Sequence, residues 1–559
     1  MEVADTDLNV QQPVHGGRKA KQSERKANED QAALRKMFGT GGVIPDRFGS
    51  GASGNVHSGS ANGVYLQPEV LSGGAAPGAT VPVHPSDPCP VSWNTEEYKR
   101  IYENPFRTTV EHPLSTFSID VDIASYTNVR RFIRGGQLPP PDAVRIEEMV
   151  NYFHYAYPVP EEEQPFALYT EMGACPWNEE HHLLHVGLQG RVEELENLPP
   201  SNLVFLLDVS GSMSDDIQLV KAAFRMLTNR LRARDRVAIV VYAGSSGLVL
   251  PPTPGDDRDT ILAALSALQA GGSTAGGAGI QLAYKTAMQH FHPEGNNRVI
   301  LATDGDFNVG VSSEGELVRI VEEKREGGIF LSVLGFGTGN YKDSKMEMLA
   351  DKGNGNYAYI ADVQDAKRVM VEEMAGTLYA IAKDVKLQIE FNPARVQSYR
   401  LIGYENRMLD KEDFTDDKKD AGEIGLGHTV TALYEIVPTT GGVQTGEKLR
   451  YSRREVKTDP AHLDEWAIVK FRYKQPDEDT SRPGERVITD QPNQWIQTSD
   501  DFRFSAAVAA FGMLLRESDH KGDVRFEDVL SWARACSVGP HAGERQEFID
   551  LADAALLLK

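Results

Sequence analysis

Residues 203–212 read LVFLLDVSGS, an unbroken apolar run that leads into a carboxylate and two serines. Five consecutive apolar residues bounded by polar ones are typical of a strand buried on both faces. Asp208, Ser210 and Ser212 alternate along the turn that follows, so their side-chain oxygens can converge. The segment therefore predicts a central strand with a group of oxygen ligands at its carboxyl end.

The residues that follow repeat an alternation of strand and helix. Between Ile217 and Leu231 apolar residues are spaced by three and four, which predicts a helix with one buried stripe. The pattern continues with predicted strands at 237–242, 299–302 and 329–334 and predicted helices at 261–268, 280–291 and 317–325. This alternation predicts an α/β, Rossmann-like fold with a doubly wound, mostly parallel sheet. Ligands of such sheets bind beyond the carboxyl ends of the strands.

Two more oxygen-bearing residues fall at that edge of the predicted sheet. Thr274 lies in the glycine-rich loop 271–277, and Asp304 ends the strand that begins at Val299. Carboxylates and hydroxyls suit a hard cation such as Mg²⁺, with Mn²⁺ or Ca²⁺ as alternatives. Two carboxylates only balance the charge of the ion, which can then accept a further carboxylate from a partner. The predicted metal ligands are Asp208, Ser210, Ser212, Thr274 and Asp304.

This ligand set resembles the metal-ion-dependent adhesion site of von Willebrand factor type A (VWA) domains, and the resemblance spans residues 201–376. It implies that Ser210, Ser212 and Thr274 bind the ion directly, and that the two aspartates bind directly or through water. It also implies a non-enzymatic, metal-dependent protein-binding module, in which the cation bridges to an Asp or Glu of a protein partner.

The flanking regions have other patterns. Residues 1–92 are rich in Gly, Ser and Pro and hold few aromatics, which predicts a disordered segment. Residues 93–200 mix helix and strand, which predicts an α+β N-terminal domain. In 377–559 apolar residues alternate with polar ones along 385–391, 430–436 and 467–473 before the closing helices. This period of two predicts an antiparallel sheet followed by helices.

Two stretches carry a closer resemblance. NPFRTTVEHPLSTFSIDVDIASYTNVRRFI at 104–133 and DDKKDAGEIGLGHTVTALYEI at 416–436 are similar to bacterial VWA proteins of the YfbK-like group. The likeness covers about 94–559. It implies a VWA-associated N-terminal domain, a VWA domain and a C-terminal domain of unknown function.

The amino-acid composition argues against several classes of partner and site. The 58 basic and 81 acidic residues give a net charge of −23, which argues against nucleic acid. Three widely spaced cysteines argue against a disulfide scaffold or a structural zinc site. No apolar run reaches the roughly 18 residues of a membrane span. With no secretory signal at Met1 the sequence as given predicts a cytoplasmic protein, whereas the resemblance implies a cell-envelope, periplasmic or lipid-anchored one.

Other motifs offer alternatives. The strand at 117–122 ends in Asp120-x-Asp122, which would suit a Mg²⁺-dependent phosphoryl-transfer enzyme, although capping of the next helix by Asp122 or Ser125 also explains it. A scaffold of the cell envelope that uses no metal is a further alternative. His182 and His185 fall on opposite faces of a predicted strand, which argues against a zinc site there. Asp215 and Asp216 fit the dipole of the helix that they precede.

Overall fold

The computed structural model describes residues 96–161, 164–243, 246–271, 276–305, 314–338, 342–419, 421–439, 462–476, 478–539 and 541–559. The segment predicted to be disordered, 1–92, and the predicted ligand Thr274 lie outside these ranges. Within them, no helix is both long and apolar enough to cross a membrane.

Strands and helices alternate through the middle of the chain, whereas the last part of the chain has a run of strands followed by a run of helices. The strands are β1 Arg107–Thr108, β2 Leu114–Ser118, β3 Phe166–Ala174, β4 His182–Gly190, β5 Ser201–Asp208, β6 Arg236–Tyr242, β7 Ser246–Pro254, β8 Asn296–Thr303, β9 Phe330–Gly335, β10 Tyr357–Tyr359, β11 Ala380–Phe391, β12 Val396–Ile402, β13 Met408–Leu409, β14 Gly422–Gly425, β15 Thr429–Pro438, β16 Ala467–Lys474 and β17 Arg482–Ile488. The α-helices are α1 Ala124–Arg134, α2 Ile146–Asn151, α3 Ile217–Thr228, α4 Arg258–Ala267, α5 Gly276–Gln289, α6 Glu314–Glu326, α7 Asp343–Lys352, α8 Val363–Lys367, α9 Met374–Leu378, α10 Asp500–Arg516, α11 Phe526–Ala535 and α12 Ala542–Leu558.

The central sheet has the strand order β10-β9-β8-β5-β6-β7. All its pairs are parallel except β6 with β7, which is antiparallel. The predicted fold, a mostly parallel doubly wound sheet, is confirmed. The sequence did not predict β7, because Pro251, Pro252 and Pro254 interrupt its pattern. Prolines are tolerated there since β7 is an edge strand and needs hydrogen bonds on one side only.

Helices cover both faces of this sheet. Along β5, Leu203, Phe205 and Leu207 pack in one apolar core, whereas Val204 and Leu206 pack in another. Phe224 of α3 contacts Phe205 with a ring separation of 4.5 Å, and Ile280 of α5 belongs to the opposite core. Successive strand residues point to opposite faces, so a wholly apolar strand requires two such layers.

The flanking segments share two antiparallel sheets. One has the order β1-β12-β15-β4-β3 and the other β13-β2-β11-β16-β17, with β14 also paired to β11. In the first, β4 from before the VWA domain pairs with β15 from after it. In the second, β2 pairs with β11 in the same way. The sequence predicted one domain for each flank, and that division stays a prediction. The structure shows that strands of the two flanks pair with one another.

The two ends of the central domain lie close together. The hydroxyl oxygens of Ser201, the first residue of β5, and Tyr379, which follows α9, are 2.8 Å apart. A π-helical turn, Arg368–Glu372, precedes α9 and leads the chain to this point. The central domain therefore enters and leaves the flanking sheets at one place.

The C-terminal helices complete a separate apolar core with the N-terminal flank. Phe153, which follows α2, packs edge-on against Phe504 of α10 and Phe548 of α12. All three rings are buried in the same cluster. The segment after α2 is thus held against α10 and α12 in one apolar core.

Glu147 of α2 is a buried carboxyl group in this region, and one of its oxygens has no hydrogen-bond partner among the described residues. Burial, and then the neighbouring Glu405, raise its pKa from 4.5 to about 7. The folded state thus holds this proton more tightly than the unfolded chain. Its contribution to stability is full below about pH 4.5 and is lost as the pH rises through about 7.

Glu147→Gln is therefore expected to raise the free energy of unfolding by about 1–3 kcal/mol at pH 8 and to leave it nearly unchanged at pH 4.5. Glutamine keeps the shape of the side chain but cannot ionise. The measurement is urea unfolding at both pH values, with the exposed Glu194→Gln as the control. The same pH profile in both variants would contradict the expectation.

Candidate metal centre

Asp208 lies at the carboxyl end of β5, between the neighbouring strands β6 and β8. Its side chain is fully buried. The backbone N–H of Ser210 donates to Oδ1 at 2.8 Å, and the hydroxyl of Thr303 donates to Oδ2 at 3.3 Å. Burial raises the pKa of Asp208, with a further contribution from Asp304 that two hydrogen bonds from Ser210 oppose. A buried carboxylate of this kind is stabilised by a nearby cation.

The two serines of the motif come together beside Asp208. Their Oγ atoms are 3.0 Å apart, although only Ser212 is exposed. Residues Gly211–Ser214 form a 3₁₀ turn, which brings alternate side chains of the loop to one side. The structure thus brings the Ser210 and Ser212 hydroxyls together, and the backbone N–H of Ser210 contacts Asp208, while Ser212 is exposed to solvent.

Asp304 follows β8, the strand next to β5, and is almost fully buried. It lies beside Asp216, which immediately precedes α3. Gly337 leaves room for the side chains of both aspartates. A Cβ atom at that position would lie 3.0 Å from Asp216 Oδ2 and 3.5 Å from Asp304 Cβ. The φ angle of Gly337 is +83°, a left-handed conformation that also favours glycine.

Asp216 is a third carboxylate at this edge that the sequence did not predict. It is the N-cap residue of α3 and its side chain makes no capping hydrogen bond, so its interaction with the helix dipole stays a prediction. Burial, followed by repulsion from Asp215 and Asp304, raises its pKa. The position of Asp216 just before α3 could have indicated that it lies near the metal site, because α3 begins at the carboxyl edge of the sheet.

The donor set fits a hard divalent cation. Asp208, Ser210, Ser212 and Asp304 offer only oxygen atoms, and the two carboxylates are desolvated at the ends of adjacent strands. Oxygen ligands and uncompensated negative charge are what Mg²⁺ requires of a protein site. Thr274, the fifth predicted ligand, lies outside the described residues.

The Asp120-x-Asp122 motif has a different environment. Nη1 of Arg407 donates to Asp120 Oδ2 at 2.9 Å, and its Nη2 donates to Asp122 Oδ2 at 3.0 Å. The backbone N–H of Tyr357 donates to the other oxygen of Asp122 at 2.8 Å. The predicted capping of α1 is wrong, since that helix begins after Ile123 with no side-chain cap. The motif instead joins the N-terminal flank to the C-terminal one through Arg407.

The three neighbouring histidines do not form a metal site. His185 is buried against the Tyr157 hydroxyl at 2.5 Å, and His181 contacts Glu435 at 2.6 Å. His182 packs edge-on against Trp466. The prediction that His182 and His185 point to opposite sides of their strand is confirmed.

Family models match three consecutive segments of the chain. Residues 92–185 match the von Willebrand factor model, 202–372 the von Willebrand factor type A domain, and 376–558 the C-terminal region of YfbK. A relative described as the uncharacterized protein YfbK, from Escherichia coli strain K12, is 42% identical over 470 residues, or 82% of this chain and 81% of the relative. The chain belongs to the YfbK family.

Other relatives of this YfbK-family protein are more distant. Human inter-alpha-trypsin inhibitor heavy chain H4 is 31% identical over 147 residues, 25% of this chain and 16% of the relative. A solved structure, a von Willebrand factor type A protein from Catenulispora acidiphila, is 15% identical and covers 69% of this chain and 89% of its own, with a TM-score of 0.39. Domains of the type found at 202–372 commonly bind proteins.

Proposed function

We propose that this YfbK-family protein is a metal-dependent protein-binding module and not an enzyme. A divalent cation, Mg²⁺ or in its place Mn²⁺ or Ca²⁺, would be held at the carboxyl edge of the central sheet and would bridge to an Asp or Glu of a partner. One observation carries the proposal: the buried carboxylates of Asp208 and Asp304 end adjacent strands beside the exposed hydroxyl of Ser212.

The proposed ligands are Asp208, Ser210, Ser212 and Asp304, with Thr274 as the fifth. The cation supplies a Lewis-acidic centre that accepts a carboxylate oxygen. Among the four ligands that the structure describes, Ser212 is the exposed one, so the partner would approach the ion from that side. Serine hydroxyls are weak donors, which leaves the ion able to attract a further anionic ligand.

Asp216 makes the cation essential to such binding. Without an ion, the edge presents the negative charges of Asp208, Asp216 and Asp304 to an approaching carboxylate. Like charges close together in a partly desolvated site repel one another. Removal of the metal is therefore expected to turn attraction of an acidic partner into repulsion.

The experiment compares two serines that are two residues apart. Ser212 belongs to the proposed ligand set, whereas the hydroxyl of Ser214 donates to the carbonyl of Gly211. Both are exposed. A partner captured in Mg²⁺ is titrated against wild type, Ser212→Ala and Ser214→Ala at fixed Mg²⁺, with EDTA as a parallel condition.

Ser212→Ala is expected to weaken partner binding by roughly 5- to 150-fold, because a polar group at a desolvated contact contributes about 1–3 kcal/mol. Ser214→Ala should bind as wild type does, and EDTA should abolish binding. Thr274→Ala is expected to act as Ser212→Ala does. Equal affinities throughout, with and without chelator, would overturn the bridging mechanism and favour a scaffold that uses no metal.

A further inference from the structure

A second group of metal-ligating side chains lies away from the sheet edge. His154, His541 and Glu544 place one ligand atom each within 4.8 Å of one another. His154 follows α2 in the N-terminal flank, whereas His541 directly precedes α12 and Glu544 lies in its first turn. All three are half-buried.

The three side chains are already in contact. Nδ1 of His154 lies 2.9 Å from Oε1 and 3.1 Å from Oε2 of Glu544. The imidazole rings of His154 and His541 stack with their centroids 5.5 Å apart and an interplanar angle of 15°. Two imidazoles and a carboxylate differ chemically from the all-oxygen set at the sheet edge, and they suit zinc rather than magnesium.

We propose that His154, His541 and Glu544 bind one zinc ion, with water in the remaining coordination position. Zinc bonds of about 2.0–2.2 Å place tetrahedral ligand atoms roughly 3.4 Å apart. His154 Nδ1 and the Glu544 oxygens are already near that value, at 2.9 and 3.1 Å, whereas the ligand atom of His541 lies within 4.8 Å of them. Rotation of the His541 side chain toward the other two would complete the site. The ion would take the place of the contact between His154 and Glu544.

Arg368 contacts two of the proposed ligands, so its positive charge has to be reconciled with a bound metal. Its Nη2 lies 3.5 Å from His154 Nδ1, and its Nη1 lies 3.6 Å from Glu544 Oε1. However, Nε of Arg368 is paired with Glu373 at 2.6 Å, which offsets the guanidinium charge. Arg368 thus acts as an outer partner that orients Glu544, as hydrogen-bonded neighbours commonly do for metal-ligating carboxylates.

The position of the site indicates its effect on the chain. One ligand comes from the segment after α2 and two come from the start of α12, and Arg368 belongs to the turn that ends the central domain. A zinc ion there would join the segment after α2 to the start of α12. The bound metal would therefore stabilise the helical layer against separation.

The test uses Co²⁺ as a spectroscopic substitute for zinc, on the full chain that carries Asp208→Asn and in excess Mg²⁺. These conditions suppress Co²⁺ binding at the sheet edge, where oxygen ligands give only weak visible absorption. The expected result is one equivalent of Co²⁺ with the intense visible bands of a four- or five-coordinate site, displaced stoichiometrically by Zn²⁺. This readout does not depend on whether the proposed partner binding is correct.

His541→Gln and Glu544→Gln are each expected to weaken Co²⁺ binding by at least about 100-fold, since loss of outer partners alone costs 10- to 100-fold. His462→Gln is the matched control. His462 also pairs with a glutamate three residues later, Glu465, at 2.7 Å, but no third ligand joins them among the described residues. It should leave the bands unchanged.

A second readout separates metal binding from folding. Zn²⁺ is expected to raise the thermal midpoint of the parent protein but not that of the His541→Gln variant, with matching circular dichroism spectra before metal is added. Absence of the visible bands from the parent protein would overturn the proposal. So would Co²⁺ affinity in His541→Gln equal to that of the parent.

Discussion

Arg407→Leu is expected to lower the free energy of unfolding by about 3–5 kcal/mol, the usual cost of removing one partner from a buried ion pair. The Arg407 guanidinium is 9% exposed and pairs with four carboxylates. The distances to Asp120, Asp351, Asp122 and Glu347 are 2.9, 2.8, 3.0 and 3.3 Å. Leucine would remove the guanidinium and leave these four partly or fully buried carboxylates without it.

The measurement is urea unfolding followed by far-ultraviolet circular dichroism. Arg534→Leu is the matched control, because Arg534 and its partner Asp553 are both more than half exposed at 3.4 Å. Exposed pairs contribute about 0–1 kcal/mol, so the control should unfold close to wild type. Indistinguishable midpoints for the two variants would show that Arg407 does not hold the flanks together.

Asp208→Asn is expected to weaken Mg²⁺ or Mn²⁺ binding by at least about 100-fold and to leave the fold intact. Asparagine keeps the oxygen that accepts the Ser210 N–H but removes the negative charge. Because burial raises the pKa of Asp208, the neutral variant should be no less stable than the metal-free wild type. Asp208→Ala, which removes the oxygen as well, should abolish metal binding.

Calorimetric titration with each cation measures this effect, and circular dichroism checks the fold. Asp215→Asn is the control, since Asp215 is exposed and lies outside the DxSxS motif. Its affinity should stay near that of wild type. Unchanged affinity in Asp208→Asn would mean that the ion, if bound, does not use the end of β5.

The central sheet could be predicted because its signal is local. Each strand from β5 to β9, apart from β7, is an apolar run in the sequence. The helices between these strands show apolar residues spaced by three and four, which form one buried stripe. Asp208, Ser210 and Ser212 are neighbours in sequence, so their convergence follows from one turn. The strand β7 escaped prediction because its prolines are compatible with a strand only at an edge, and edge position is a property of the sheet.

The remaining features depend on residues far apart in sequence. The sequence predicted a strand at the position of β4, and alternation predicted β15 as a half-buried strand, but neither pattern shows which strand pairs with which. Arg407 gave no signal as the partner of Asp120 and Asp122, because ion pairs leave no periodic pattern. The sequence could not place Asp216 beside Asp304, because their proximity depends on the space that Gly337, far along the chain, leaves for both.

The contact between Ser201 and Tyr379 bears on how the chain folds as it is synthesised. Gln189 of β4 pairs with Thr429 of β15, so β4 leaves the ribosome with its earlier partner β3 long before β15 exists. Until then Leu184, Val186 and Leu188 lack the part of their apolar core that β15 supplies. Once the intervening domain folds, its joined ends act like the turn of a very large hairpin and remove most of the entropy cost of closing the loop. The nascent chain is therefore expected to fold from the middle outward, with its earliest strands dependent on protection by chaperones in the interval.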